Sequence, residues 1–136
     1  MKQVIIYTGE NGNTAVCVPT GELSIEQVQQ KDIPPGVESF ILNSDQLPWS
    51  DSDFFDAWEQ TAGVVTINMD KCKELTKNRL RFDRAPLLAE QDVAFQRALE
   101  SGEDTSVIVA EKKRLRDITK LADDCLTLDQ LRSLRC

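Results

Sequence analysis

The side chains with most capacity for chemistry in this 136-residue chain are four cysteines, Cys17, Cys72, Cys125 and Cys136, set among 23 Asp/Glu, with no histidine anywhere. A serine or cysteine nucleophile normally works beside a base, most often histidine, so that chemistry has no partner here. The cysteines are isolated from one another and form no C-x-x-C pair, which removes the usual zinc spacing, and no metal or other cofactor is expected. Gly9 and Gly12 match neither G-x-G-x-x-G nor a Walker A loop, because no Lys-Ser/Thr opens a helix after them. A carboxylate pair of the glycosidase kind depends on distances in space, and abundance of acids alone does not indicate one. No catalytic residue is assigned, and the chain reads as a binding or assembly component, not an enzyme.

Recognition has better candidates. Trp49, Phe54, Phe55 and Trp58 cluster among Asp51, Asp53, Asp56 and Glu59, and aromatic anchors ringed by charge are common at protein interfaces. The i, i+4 spacing of Phe54 and Trp58 also suits a short helix pinned to a sheet. Trp49, beside Pro48 and outside any period, is the stronger interface residue. Further on, Arg79-Leu80-Arg81-Phe82-Asp83-Arg84, then Asp92, then Lys112-Lys113-Arg114-Leu115-Arg116-Asp117 offer planar guanidinium forks to carboxylates. Ion pairs between two antiparallel helices, drawn from Arg81, Arg84, Asp92, Arg116 and Asp117, are expected. The alternatives are a solvated face with weak i, i+4 pairs and a basic nucleic-acid patch, which the interleaved Asp83, Asp92 and Asp117 disfavour.

The elements that must position these residues change in kind near Asn68. Gln3–Thr8 and Thr14–Val18 are β-type runs around Asn11-Gly12, the signature of a hairpin. Ser24 with Gln27 forms a capping box for a helix over 25–31. Val37–Leu42 reads as a third strand, Phe54–Trp58 as a helical turn or two, and Gly63–Ile67 as a fourth strand. From Asn68 or Asp70 onward the period becomes helical. Leu75, Leu80, Phe82, Leu87, Val93 and Leu99 belong to a first helix that Pro86 should kink or divide. A second helix, capped at Glu103-Asp104-Thr105, runs through Leu121, and Thr127 caps a short last one. The expected class is α+β: a small, mostly antiparallel β-rich domain at 1–68 with short helices, then a helical hairpin with a short closing helix at 69–136.

Residues 1–70 hold 2 Lys/Arg against 11 Asp/Glu and residues 71–136 hold 14 against 12, for −7 overall. A general nucleic-acid binder needs a basic face to release phosphate counterions, so no nucleic-acid partner is expected. The opening apolar run is too short for a signal peptide, and no stretch approaches the roughly eighteen apolar residues of a membrane span. The cysteines are expected to be thiols in a reducing cytosol.

Residues 65–117 carry one further pattern. Arg81, Arg84, Leu88 and Asp92 form an Arg-x-x-Arg…Leu…Asp series, and Lys112, Leu115, Arg116 and Asp117 form Lys-x-x-Leu-Arg-Asp. Together with Leu47-Pro48 and Asp53-Phe54-Phe55-Asp56-Ala57-Trp58-Glu59 upstream, this resembles a widespread group of small tailed-bacteriophage proteins described as tail or tail-fibre assembly proteins. The resemblance covers about half the chain. It implies a structural component of the virion tail, made in the host cytoplasm, whose partners are other tail or tail-fibre proteins and, as a homo-oligomer, copies of itself in threes or sixes. A tail-fibre assembly chaperone and an acidic phage protein that binds a host enzyme are the alternatives.

Overall fold

In the computed structural model, which describes residues 2–136, the chain divides into two compact units, one ending at Lys71 and one running from Cys72 to Cys136. The class is α+β, with a small antiparallel sheet early in the chain and helices after it. The division falls three residues after the expected one. The first helical turn beyond Asn68 is tied backward: Asn68 Nδ2 donates to Glu59 Oε1 at 2.9 Å, Asn68 Oδ1 accepts from the Lys71 N–H, and Lys71 Nζ lies 2.9 Å from Glu59 Oε1.

In the first unit, β1 (Gln3–Thr8) lies between β2 (Thr14–Cys17) and β3 (Ser39–Asn43), antiparallel to both. Val4, Ile5 and Ile6 are all buried, as a central strand covered on both faces requires. Ile5 packs with Val28 and Ile33 beneath α1 (Ile25–Asp32), while Val4 and Ile6 pack with Leu47 and Trp58 on the other face. The Ser24/Gln27 capping box opens α1. The Asn-Gly signal sits inside a five-residue loop, because pairing ends at Thr8 and Thr14. Gly12 turns the chain there at φ 81°, and the Asn11 side chain accepts from the Asn13 N–H.

The segment after β3 departs from expectation. 3₁₀ turns over Ser44–Gln46 and Trp49–Ala57, the latter broken by non-helical backbone at Asp51 and Phe54, precede β4 (Trp58–Thr61), which pairs antiparallel with β5 (Val64–Ile67). Trp58 therefore begins a strand instead of closing a helix. A two-residue turn joins β4 to β5, with Ala62 at φ 52° and Gly63 at φ 81°, the two positive φ values of a type I′ hairpin.

The second unit is built on α2 (Met69–Ser101), most of which belongs to it, with α3 (Ser106–Asp117), α4 (Lys120–Asp123) and α5 (Leu128–Ser133). α2 runs unbroken through Pro86. Proline has no N–H, so the Phe82 carbonyl lacks its ordinary i+4 donor; both residues face solvent, where water can satisfy that oxygen. The expected second helix through Leu121 ends at Asp117. Asp104 organises its start, accepting from the Ser106 N–H at 3.0 Å and the Ser106 hydroxyl at 2.8 Å, and those two bonds hold its carboxyl below the ordinary range. Thr127 and Gln130 form the capping box of α5. No helix of the described residues is long and apolar enough to cross a membrane.

Candidate protein-contact surface

The aromatic cluster near residue 50 resolves into one core anchor and one exposed ring. Trp58 is fully buried and Phe54 nearly so, while Phe55 is half-buried and Trp49 is 43% exposed. Phe55 and Trp49 both rest on Trp58, with ring centroids 4.9 and 5.6 Å away. Burying an indole of roughly 200 Å² at about 25 cal/mol per Å² contributes up to about 5 kcal/mol. Trp58 and Phe54 are thus core residues, which corrects the expectation that they belong to an interface. Trp49 is anchored as well, its Nε1 donating to the Ser44 carbonyl at 2.6 Å, so what it offers a partner is the exposed part of a fixed ring.

The expected arginine–aspartate pairs between α2 and α3 do not form. Asp92 instead meets Lys112, Nζ to Oδ1 at 2.6 Å, and the Lys112 ammonium also lies 5.0 Å from the centre of the Phe95 ring. Asp117 pairs locally with Lys120. Arg81 is exposed and donates to Asn78 within its own helix, and Arg116 is exposed. Arg84 reaches across, but its Nη1 donates to the Leu115 and Arg116 backbone carbonyls at 3.2 and 2.9 Å. The last carbonyls of a helix have no intrahelical donor and carry the negative end of its dipole, so they can accept a guanidinium's hydrogen bonds where no carboxylate is in reach.

The same device recurs along α2. Lys73 Nζ donates to the Asp123 carbonyl closing α4, and Arg79 Nη2 donates to Leu131 in the last turn of α5. Lys77 Nζ sits 2.7 Å from the Asp123 carboxylate. The hydrogen bond between them raises the Lys77 ammonium and lowers the Asp123 carboxyl. Arg79 is pushed down, first by burial and then by the nearby Arg135 charge. Its Nη1 is 3.9 Å from Asp83 Oδ2, near enough for electrostatic attraction but too far for a hydrogen bond. Arg84, Lys73 and Arg79 of α2 thus bond the C-terminal ends of α3, α4 and α5 in turn. Sequence reasoning missed this because backbone acceptors leave no trace in residue types.

α2 is apolar on two faces. Cys72, Thr76, Leu80 and Ala98 are buried, with Leu87 and Phe95 beside them. Phe82, Pro86, Ala89 and Val93 recur at intervals of four, three and four, hence on one side of the helix. All four are exposed, Phe82 at 82% and Val93 at 50%. Pro86, Ala89, Glu90, Val93, Ala94 and Arg97 line a shallow apolar groove on this side. Periodicity alone could not separate the two faces, since both supply apolar residues at helical spacing.

Among the described residues no group of three or more Cys, Asp or Glu side chains converges as metal ligands would. The half-buried Cys17 thiol is pushed up by burial and by Asp32, away from the thiolate form. In comparisons with known proteins, no family model, no curated protein and no solved structure matches this chain.

Proposed function

We propose that this chain is a structural component of a bacteriophage tail, in the tail-tip or fibre-attachment region, and that it works through protein–protein contacts instead of chemistry of its own. The observation that carries the reading is the solvent-facing stripe Phe82, Pro86, Ala89, Val93 on α2. A phenylalanine left 82% exposed on a long helix is the kind of apolar surface that interaction sites present. The stripe lies in the same helix as Arg81, Arg84, Leu88 and Asp92, through which the chain resembles tail and tail-fibre assembly proteins. The other support is that Lys73, Arg79 and Arg84 of α2 are engaged in holding α4, α5 and α3, whereas Phe82, Pro86, Ala89 and Val93 stay open to solvent. Partners are then other tail or fibre proteins, with copies in threes or sixes as closed tail symmetry requires.

Mass spectrometry of purified particles of the encoding phage, quantified against the major tail protein, tests the proposal. A fixed stoichiometric presence is the expected result. Absence from particles, with abundant expression in infected cells, would move the assignment to a tail-fibre assembly chaperone. A host-enzyme binder is favoured by one observation, the 11 acids against 2 bases in residues 1–70. That reading requires tight, steeply salt-dependent binding to a basic host protein.

A further inference from the structure

The outer face of α2 carries two charges that nothing among the described residues uses. Glu90 and Arg97 are exposed, and among the described residues neither makes a hydrogen bond or ion pair. They stand seven residues apart, hence on the same side of the helix, and border the apolar groove that contains Val93 and Ala94. Val93 and Ala94 are the midpoint between them. Two such helices laid antiparallel about a two-fold axis through that midpoint bring Glu90 of each copy opposite Arg97 of the other. One surface then supplies both halves of two identical ion pairs. Self-complementarity of this kind is what an isologous two-fold contact demands. The small side chains of Ala89 and Ala94 allow the backbones to approach, and Pro86 and Val93 supply apolar surface to cover.

We infer that the outer face of α2 binds a second copy of this chain, antiparallel, with Glu90 paired to Arg97 of the partner copy at two symmetric positions. Charge selects a second copy as the occupant: a partner of different sequence would need its own matching acid and base, whereas a second copy carries them already at the required spacing. The segment from Pro86 to Arg97 spans about 18 Å of helix, a short contact that makes a reversible dimer. The inference rests on reading this face as a contact surface and not on a location in the tail. Within a larger assembly, a two-fold contact of this type joins two threefold rings into a particle of six copies.

The test is sedimentation equilibrium of the full chain over a dilution series, with charge-reversed variants whose helix content is checked by circular dichroism. Glu90→Arg sets arginine against Arg97, and Arg97→Glu sets glutamate against Glu90, so each variant alone should dimerise about tenfold more weakly than the parent. An equimolar mixture of the two restores both pairs across one interface and should dimerise as the parent does. A chain that stays monomeric throughout, single variants that associate like the parent, or a mixture no tighter than its components would each overturn the pairing. None of these results bears on presence in virus particles, so the tail assignment stands or falls by its own measurement.

Discussion

Arg84 is the clearest case of a single side chain tying two elements together. One guanidinium nitrogen serves two carbonyls at the end of α3, and hydrogen bonds to a charged group are worth more than neutral ones even when partly exposed. Arg84→Ala should lower unfolding free energy by about 1–2 kcal/mol in urea titrations. Arg84→Met, which keeps most of the stem, should recover little of that, since the loss lies in the donors. The residue types at 84, 115 and 116 announce that an arginine and a helix end are present. They do not say that the two meet, because every residue has a carbonyl and only the fold selects which ones lack a donor. The carboxylates that looked like partners had nearer ones, Lys112 for Asp92 and Lys120 for Asp117.

At the scale of elements, strong local signals survive into the structure and weak ones are overridden. The capping boxes at Ser24 and Thr127 open α1 and α5 because each satisfies backbone N–H groups without help from elsewhere. β4 was illegible for the converse reason. Trp-Glu-Gln-Thr has no strong strand alternation, and its turn puts an alanine where asparagine or glycine is usual, so the strand exists through pairing with β5 and burial of Trp58. Gly63 is doubly constrained: its φ is +81°, and a Cβ there would lie 3.2 Å from the Phe40 ring. Gly63→Ala should destabilise by about 1–2 kcal/mol, visible as a lower Tm. Pro86 makes the opposite prediction. It interrupts the hydrogen-bond ladder of a helix that continues past it, so Pro86→Ala should return a donor to the Phe82 carbonyl and stabilise by about 1–3 kcal/mol in the same assay.

Over the whole molecule, the carboxyls of Glu59, Asp104, Glu111 and Asp123 are all held below their ordinary range, chiefly by hydrogen bonds from Lys71, Ser106, Arg114 and Lys77 in turn. A carboxyl depressed in the folded state adds stability that is complete above its unfolded value and is lost as pH falls through the folded one. Tm should therefore be level near neutrality and decline below about pH 4. Asp123→Asn should make that decline shallower by removing one contributor. Lys77 has the reverse sign: it is raised, so its share persists below the ordinary lysine value and disappears only in strong alkali. The α+β class and the change of character near residue 70 were legible because period and charge both shift there. The use of α2 as a common anchor was not, since it joins residues 31 to 52 positions apart. That separation also orders events in time. Helices as short as α4 and α5, four and six residues long, cannot persist in water by themselves. Their ends are also bonded by α2 side chains, so α2 and α3, joined by a short turn, are expected to assemble first and the last fifteen or so residues to condense onto them late. Interactions formed after the rate-limiting step govern how fast a protein comes apart and hardly affect how fast it forms. Lys73 and Arg79 are therefore expected to act as latches on the lifetime of the native state, so that removing either should speed unfolding and leave refolding almost untouched.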